Sequence, residues 1–513
     1  MNIQPYKLLT LAAALAVVGT SCSKDTFLDV NNNPNNPIAA APGVLLTNVE
    51  VVTGFNMGNE VNRTGSILVQ HLAGAANQSA TTDTYDLRGA GFADDAWNRF
   101  YSGSIINCNK LIEAGGRARS PAYVGIAKLQ KAYCFAVLTD CWGDVPYSQA
   151  AMGLDLIQPR FDKQEDIYKG TADIKSLFDL VREGLNDLDQ PIPTTSIRPS
   201  SADDPIYSGD LVKWRKMGNT LLLKLANTIN RREPALSASV IAEVLAKNTM
   251  TTQAYMTANS DDYQVPFGAT IGNQNPLQYF NYNNRPGDQI LSQRLLDSMA
   301  VRNDPRLPFF FTTTPTRTAT VNTTGTNTTV GTFTGYQNNS GLAIPTLASG
   351  NRSRIGVYQT GANGEAPIRM ITNFQRAFIL AEYYLSINDL AKAQTFYTEA
   401  ITASMTKAGV PAATVGTYLT ANPSVATLRG SATRMLNQII TQKWIAWVGN
   451  GYEAYNDFRR TGYPRLALVT SPVGDDPTAI PARFPYPNSE LGANAANSPG
   501  QVLTNRRVWW DID

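Results

Sequence analysis

The residues of this chain best suited to chemistry are aromatic and amide groups. Tyr279, Phe280 and Tyr282 stand in the run from Asn273 to Gly287 among Gln278, Asn281, Asn283, Asn284 and Arg285. Flat aromatic faces pack against sugar or peptide rings, while amides and guanidinium groups hydrogen-bond the hydroxyls and carbonyls at their edges. Tyr85 and Phe92, close to Asp83 and Arg88, form a second set of the same kind. Such rings equally plug a hydrophobic body, so their exposure decides between ligand contact and packing. The ligand-contact candidates are Tyr279, Phe280, Tyr282, Asn283, Arg285, Tyr85 and Phe92.

An acid, base or nucleophile is harder to find. The single histidine, His71, lies in the apolar stretch ILVQHLAG, where a hydrogen-bonded core imidazole is expected. Ser404 and Lys407 have SxxK spacing, but neither SDN nor KTG accompanies them, and the pair reads as an exposed helix turn. GxSxG and P-loop patterns are absent. Asp83, Asp94, Asp95, Asp261 and Asp262 supply the carboxylates a glycoside hydrolase would need, but sequence does not pair them in space. Asp29, Asn31 and Asn33 imitate the start of a calcium loop, yet Pro34 replaces its glycine and Ala40 its bidentate glutamate. The expectation is a binding protein, not an enzyme, with no catalytic residues, no cofactor and no metal site.

The N-terminus says where such a protein would sit. Lys7 precedes an apolar run, Leu8 to Val18, broken only by Thr10 and too short to span a bilayer. Gly19, Thr20 and Ser21 then lead into Cys22, the arrangement of a bacterial lipoprotein signal cleaved before a lipidated cysteine. Residues 1–21 are therefore read as signal, and 22–42, whose Ser23–Pro37 stretch is rich in Asn with two prolines at Pro34 and Pro37, as a lipidated tether too polar to order itself. Lys and Arg total 43 against 41 Asp and Glu, with no basic run to track phosphates, which argues against nucleic acid as a partner. Cys108, Cys134 and Cys141 remain, an odd set; one bridge would fit, but three buried thiols packing as small apolar groups fit better.

Most of residues 43–513 reads as one helical domain. Apolar residues recur at three-and-four spacing over Asp94–Ala114, Pro121–Leu138, Gln164–Leu188, Asp210–Asn230, Asp288–Ala300, Phe374–Ile387, Asp389–Lys407 and Leu428–Val448. Ala381 and Tyr384, the turn at Asn388, then Ala393, Tyr397 and Ala400 match the small-and-aromatic spacing of a tetratricopeptide helix pair, with Met405 where its proline would stand. Texture changes over about 251–370, where Asn273–Gly287 and the Thr, Asn and Gly-rich Phe311–Gln359 read as long loops with a hairpin near TTGTN. Long irregular segments in a compact body usually carry function. The fold class is thus mainly α, with tetratricopeptide-like helix pairs as scaffold, long loops and minor hairpins.

Taken in order, several blocks resemble the SusD/RagB nutrient-binding lipoproteins of the Bacteroidetes outer membrane. They are FLDVNNNPNNP from Phe27, WNRFYSGSIINCNKLIE from Trp97, LTDCWGDVPYSQA from Leu138 and LVKWRKMGNTLLLKLANTI from Leu211, then NDPRLPFFF from Asn303, LAEYYL from Leu380, EAYNDFRRTGYPRL from Glu453, RFPYPNSE from Arg483 and the terminal VWWD. Gln375 departs from the pattern, which leads one to expect Glu. The resemblance implies a surface-exposed, lipid-anchored protein that captures oligosaccharides or peptides as a lid on a SusC-like TonB-dependent transporter. A structural tetratricopeptide adaptor would explain the scaffold but leave the aromatic loops idle, and a hydrolase would need two carboxylates roughly 5 to 10 Å apart. Trp97, Trp142, Trp214, Trp444 and Trp447 are expected in the core, and Arg459 and Arg460 as anchors of the C-terminal segment.

Overall fold

The computed structural model describes residues 40–88, 93–249, 252–314, 331–340 and 352–512. Cys22, Phe92 and the TTGTN segment lie outside the described residues. Pro42–Asp513 forms one compact unit.

Long helices build it: α1 Pro42–Met57, α2 Glu60–Leu68, α3 Ile106–Arg117, α4 Pro121–Trp142, α5 Leu177–Asp189, α6 Leu211–Thr228, α7 Pro234–Lys247, α8 Asn373–Ser386, α9 Leu390–Ala408, α10 Ala432–Ala446 and α11 Gly451–Thr461. Their starts are set by local chemistry. Asp210 accepts from the amides of Val212 and Lys213, Thr372 from Gln375, Asp389 from Lys392 and Asn450 from Glu453, each satisfying N–H groups that a helix leaves unpaired. At the other end of α9, Gly409 takes φ +101°, the left-handed stop for which glycine is suited. The sheets are minor and antiparallel: β1 Leu72–Gly74 with β5 Gln289–Leu291, β2 Val145–Pro146 with β3 Phe161–Asp162, and β4 Tyr263–Val265 with β6 Ile368–Ile371.

The helix pair α8 and α9 packs as its spacing predicts. Ala381, Ala393 and Ala400 are buried where the two helices cross, Tyr384 stacks parallel on Phe396 with centroids 5.4 Å apart, and the turn passes through Asn388 at φ +60°. The Tyr397 hydroxyl donates to Val425 O at 2.8 Å.

Several sequence-based boundaries are corrected. Gln164–Leu188 is two helices, Gln164–Lys169 and α5, broken at Gly170 with φ +79°. The stretch from Asp288 begins as strand β5 before its helix, Gln293–Ala300. Asp94–Ala114 is helical throughout but widens to a π-helix over Arg99–Ile105. The presumed loop Asn273–Gly287 is partly helical, with one turn at Pro276–Gln278 running into a π-helix at Tyr279–Asn284.

The five tryptophans named above are all buried, and Cys108, Cys134 and Cys141 are buried free thiols. Beneath the C-terminal segment lies a polar hub. The buried Asp140 carboxylate accepts from the Tyr168 hydroxyl at 2.7 Å, Tyr452 hydroxyl at 2.8 Å, Asn456 Nδ2 at 3.1 Å and Trp510 Nε1 at 2.9 Å. Arg459 Nη1 donates to the carbonyls of Asp140 and Ala482, and Arg460 pairs with Glu382 and Asp457, so both arginines anchor as expected. The VWWD, GDVPY and FRRTGYP blocks thus converge on one buried region.

Candidate ligand-binding site

The aromatic run is held by one amide. Asn275 is fully buried; its Oδ1 accepts from Leu277 N at 2.7 Å, while its Nδ2 donates to Gln359 O at 3.1 Å and Ala366 O at 2.7 Å. Pro276 follows at the first helical position, where a missing N–H costs nothing. Asn281 Nδ2 donates back to Leu277 O at 3.1 Å, and the Tyr282 hydroxyl donates to Ile355 O at 2.6 Å. On this base Tyr279 is 47% exposed, Asn283 and Arg285 are exposed, and Phe280 and Tyr282 are half-buried. Asn283 Nδ2 donates to Gln274 Oε1 at 3.2 Å.

Two arginines without any local sequence signal complete the surface. The guanidinium carbon of Arg63, on α2, lies 3.7 Å from the Phe280 ring centroid, and that of Arg354 lies 3.8 Å from Tyr282. Such contacts are worth about 0.5 to 2 kcal/mol and fix the ring planes. Arg354 Nη2 also donates to Asn281 O. In both arginines Nε is buried with no hydrogen-bond partner, an uncommon situation in which the stack shields the N–H from solvent and ligand alike.

Acidic groups temper this positive cluster. Burial pushes the Glu60 carboxyl up to about 7 against the opposing pull of Arg63, and burial draws the Arg63 guanidinium down to about 10. Asp288 accepts both Asn77 Nδ2 contacts, at 3.0 and 3.1 Å; burial raises its pKa against the pull of Asn77 and of Arg285, Arg63 and Arg352. Arg352 Nη1 donates to Gly287 O at 2.9 Å. An exposed ring, two ring and guanidinium stacks and exposed amide and arginine ends suit stacking and hydrogen bonding to a polar ligand.

The second predicted aromatic pair does not join this surface. Tyr85 is 1% exposed with φ +68°, and its hydroxyl accepts from Val469 N at 3.3 Å, so its ring serves packing and offers no face to a ligand. Asp83 beneath it is buried, accepts from Asn339 N at 2.8 Å, and is pushed by burial up to about 7. Phe92 lies outside the described residues. His71 is a core imidazole: its Nε2 lies 2.9 Å from Trp444 O, and burial drives it down to about 3. The SMTK turn is exposed only in part, a correction: Thr406 is exposed, but Ser404 is buried and accepts from Arg306 Nη1 at 3.0 Å, while the half-buried Lys407 pairs with Asp262 at 2.8 Å. Asp261 pairs with Lys216 at 3.0 Å, Asp95 with Arg99 at 3.0 Å, and Asp94 accepts from the Ser489 hydroxyl at 2.8 Å.

This chain belongs to the SusD-like family described as starch-binding and associating with the outer membrane, whose pattern matches residues 34–487. Among solved structures it is similar to a chitin-binding protein, with 24% identity over 92% of this chain and 100% of the other and a TM-score of 0.75. It is similar also to a SusD-like protein from Bacteroides thetaiotaomicron, at 22% identity, 92% and 99% coverage and a TM-score of 0.74. A chitin-binding SusD homologue from Flavobacterium johnsoniae matches at 21% identity, 91% and 97% coverage and a TM-score of 0.72. No curated protein sequence matches the chain. Among the described residues, no helix is long and apolar enough to cross a membrane, and no cluster of His, Cys, Asp and Glu is arranged to hold a metal ion.

Proposed function

We propose that the protein is a cell-surface lipoprotein, anchored through Cys22, that captures oligosaccharides and passes them to a SusC-like TonB-dependent transporter without chemically altering them. The observation that carries this reading is the exposed Tyr279 on the same helical turn as the Phe280 and Tyr282 rings that Arg63 and Arg354 cover. Stacking supplies the binding energy for a sugar ring, and the exposed Asn283 and Arg285 supply the polar contacts. The starch-binding description of the family and the chitin-binding names of two similar structures favour glycan over peptide.

The test is calorimetric titration of the mature protein with starch, chitin and peptide oligomers. Micromolar or weaker binding of one glycan, weakened severalfold by Tyr279→Ala, supports the reading; binding that ignores Tyr279 moves the site elsewhere. Recovery of a barrel protein with this chain from mildly solubilised envelope tests the transporter, and recovery of the chain alone counts against it.

A further inference from the structure

A cavity of about 610 Å³ opens where α6, α7, α8, α10 and α11 meet, and none of its lining residues belongs to the aromatic surface described above. Its size suits a ligand of one or two sugar rings. The fixed charges on its wall are spent inside the protein. Glu382 accepts from Arg460 Nη1 at 2.8 Å and Nη2 at 3.1 Å, and Arg460 Nη2 also reaches Asp457 Oδ1 at 2.7 Å. Lys443 Nζ stands 3.6 Å from Glu382 and 3.0 Å from Asp457. Arg231 Nη1 donates to Arg460 O at 2.8 Å. A charged ligand would be desolvated here against groups already paired with one another, which is costly.

The rest of the wall is mixed: Ile241, Leu385 and Leu436 supply apolar groups, and Ser237, Tyr383 and Tyr463 carry hydroxyl groups, which both donate and accept. We infer that this cavity is a second ligand site, for an uncharged molecule with an apolar face and hydroxyl or amide edges, of the class of a neutral mono- or disaccharide. The choice of sugars rests on the proposed function; the neutrality and size rest on the cavity.

The experiment is calorimetric titration of the mature protein with maltose and N,N′-diacetylchitobiose, with glucuronate and glucosamine as charged controls. One neutral disaccharide should show two binding events. Leu436→Trp, which fills the cavity, should weaken one event more than tenfold and leave the other, whereas Tyr279→Ala should do the reverse. Tyr383→Phe, which keeps the ring and removes one hydroxyl, should weaken the Leu436-sensitive event about fivefold, and a crystal soaked with the disaccharide should hold it between α7 and α10. The inference is overturned if neither Leu436→Trp nor Tyr383→Phe changes any neutral-sugar binding, or if the charged sugars bind the cavity as well as the neutral ones. Loss of the Tyr279-sensitive event alone would instead count against the surface site.

Discussion

Arg63 and Phe280 come from distant parts of the chain, yet the guanidinium carbon of one sits 3.7 Å from the ring centroid of the other. The contact covers one ring face and leaves Arg63 Nε without a partner. Arg63→Gln should therefore loosen the Phe280 ring and weaken glycan binding by less than about tenfold, about 1.4 kcal/mol, because the cation–π contact is made within the protein and not to the ligand. Arg117→Gln, whose native partner is the exposed Glu113, should leave binding unchanged in the same titration.

The two exposed-side tyrosines should separate affinity from stability. Tyr279→Ala removes a ring that is 47% exposed and should alter folding stability by less than about 0.5 kcal/mol while costing about 0.5 to 1.5 kcal/mol of binding. Tyr282→Ala should also destabilise the fold, by about 1 to 3 kcal/mol, because it leaves Ile355 O and Arg354 without their contacts. Urea unfolding beside calorimetry reads both, and a double variant that binds as wild type would mean that these rings only pack.

Stability should fall as pH rises from about 4.5 to 7. Burial pushes Glu60, Asp83 and Glu453 up to about 7, so each holds a proton in the fold that it has already released in the unfolded chain across that interval. The native state binds more protons there, and each group can remove up to roughly 3 to 4 kcal/mol, with no further loss above the folded values. Glu183, Glu243 and Asp475 are held below the usual carboxylate range and act oppositely in more acidic solution, while His71, driven by burial down to about 3, acts oppositely up to about pH 6.5 and offsets about one of the three raised carboxyls. Thermal unfolding at pH 5 and pH 8 measures the slope, and Glu60→Gln should flatten it; a higher melting temperature at pH 8 would contradict the assignment.

Asp140 should be among the least replaceable side chains. Asp140→Ala strands the Tyr168 and Tyr452 hydroxyls, Asn456 and Trp510 in a water-free interior, which should cost about 3 to 5 kcal/mol. Asp94→Ala, at an exposed contact with Ser489, should cost less than about 0.5 kcal/mol in the same denaturation series.

Cys22→Ala should release the protein from the membrane fraction and abolish labelling with a lipid precursor. Persistent labelling of that variant would place the anchor elsewhere.

The helical body could be read because its signals are local. The α8 and α9 pair announces itself through Ala381, Ala393 and Ala400 at crossing distance, and the caps of α6 and α9 through Asp210 and Asp389. Asn275 followed by Pro276 is the same kind of signal, a capping amide and a first-turn proline, overlooked because the surrounding asparagines suggested a loop. Arg63 and Arg354 carry no local mark; only tertiary folding brings them over Phe280 and Tyr282. Tyr85 misled for the converse reason. Its neighbours Asp83 and Arg88 are polar, but Asp83 is buried and Arg88 turns to Asp475 at 2.6 Å.

Asn275 also sets an order of events. Its amide clips the aromatic run to carbonyls 84 and 91 residues further along the chain. Contacts of that span form late, since the intervening chain must first be confined. During refolding, helical signal should therefore return before glycan binding does, making capture competence a report that the whole region between Asn275 and Ala366 has closed.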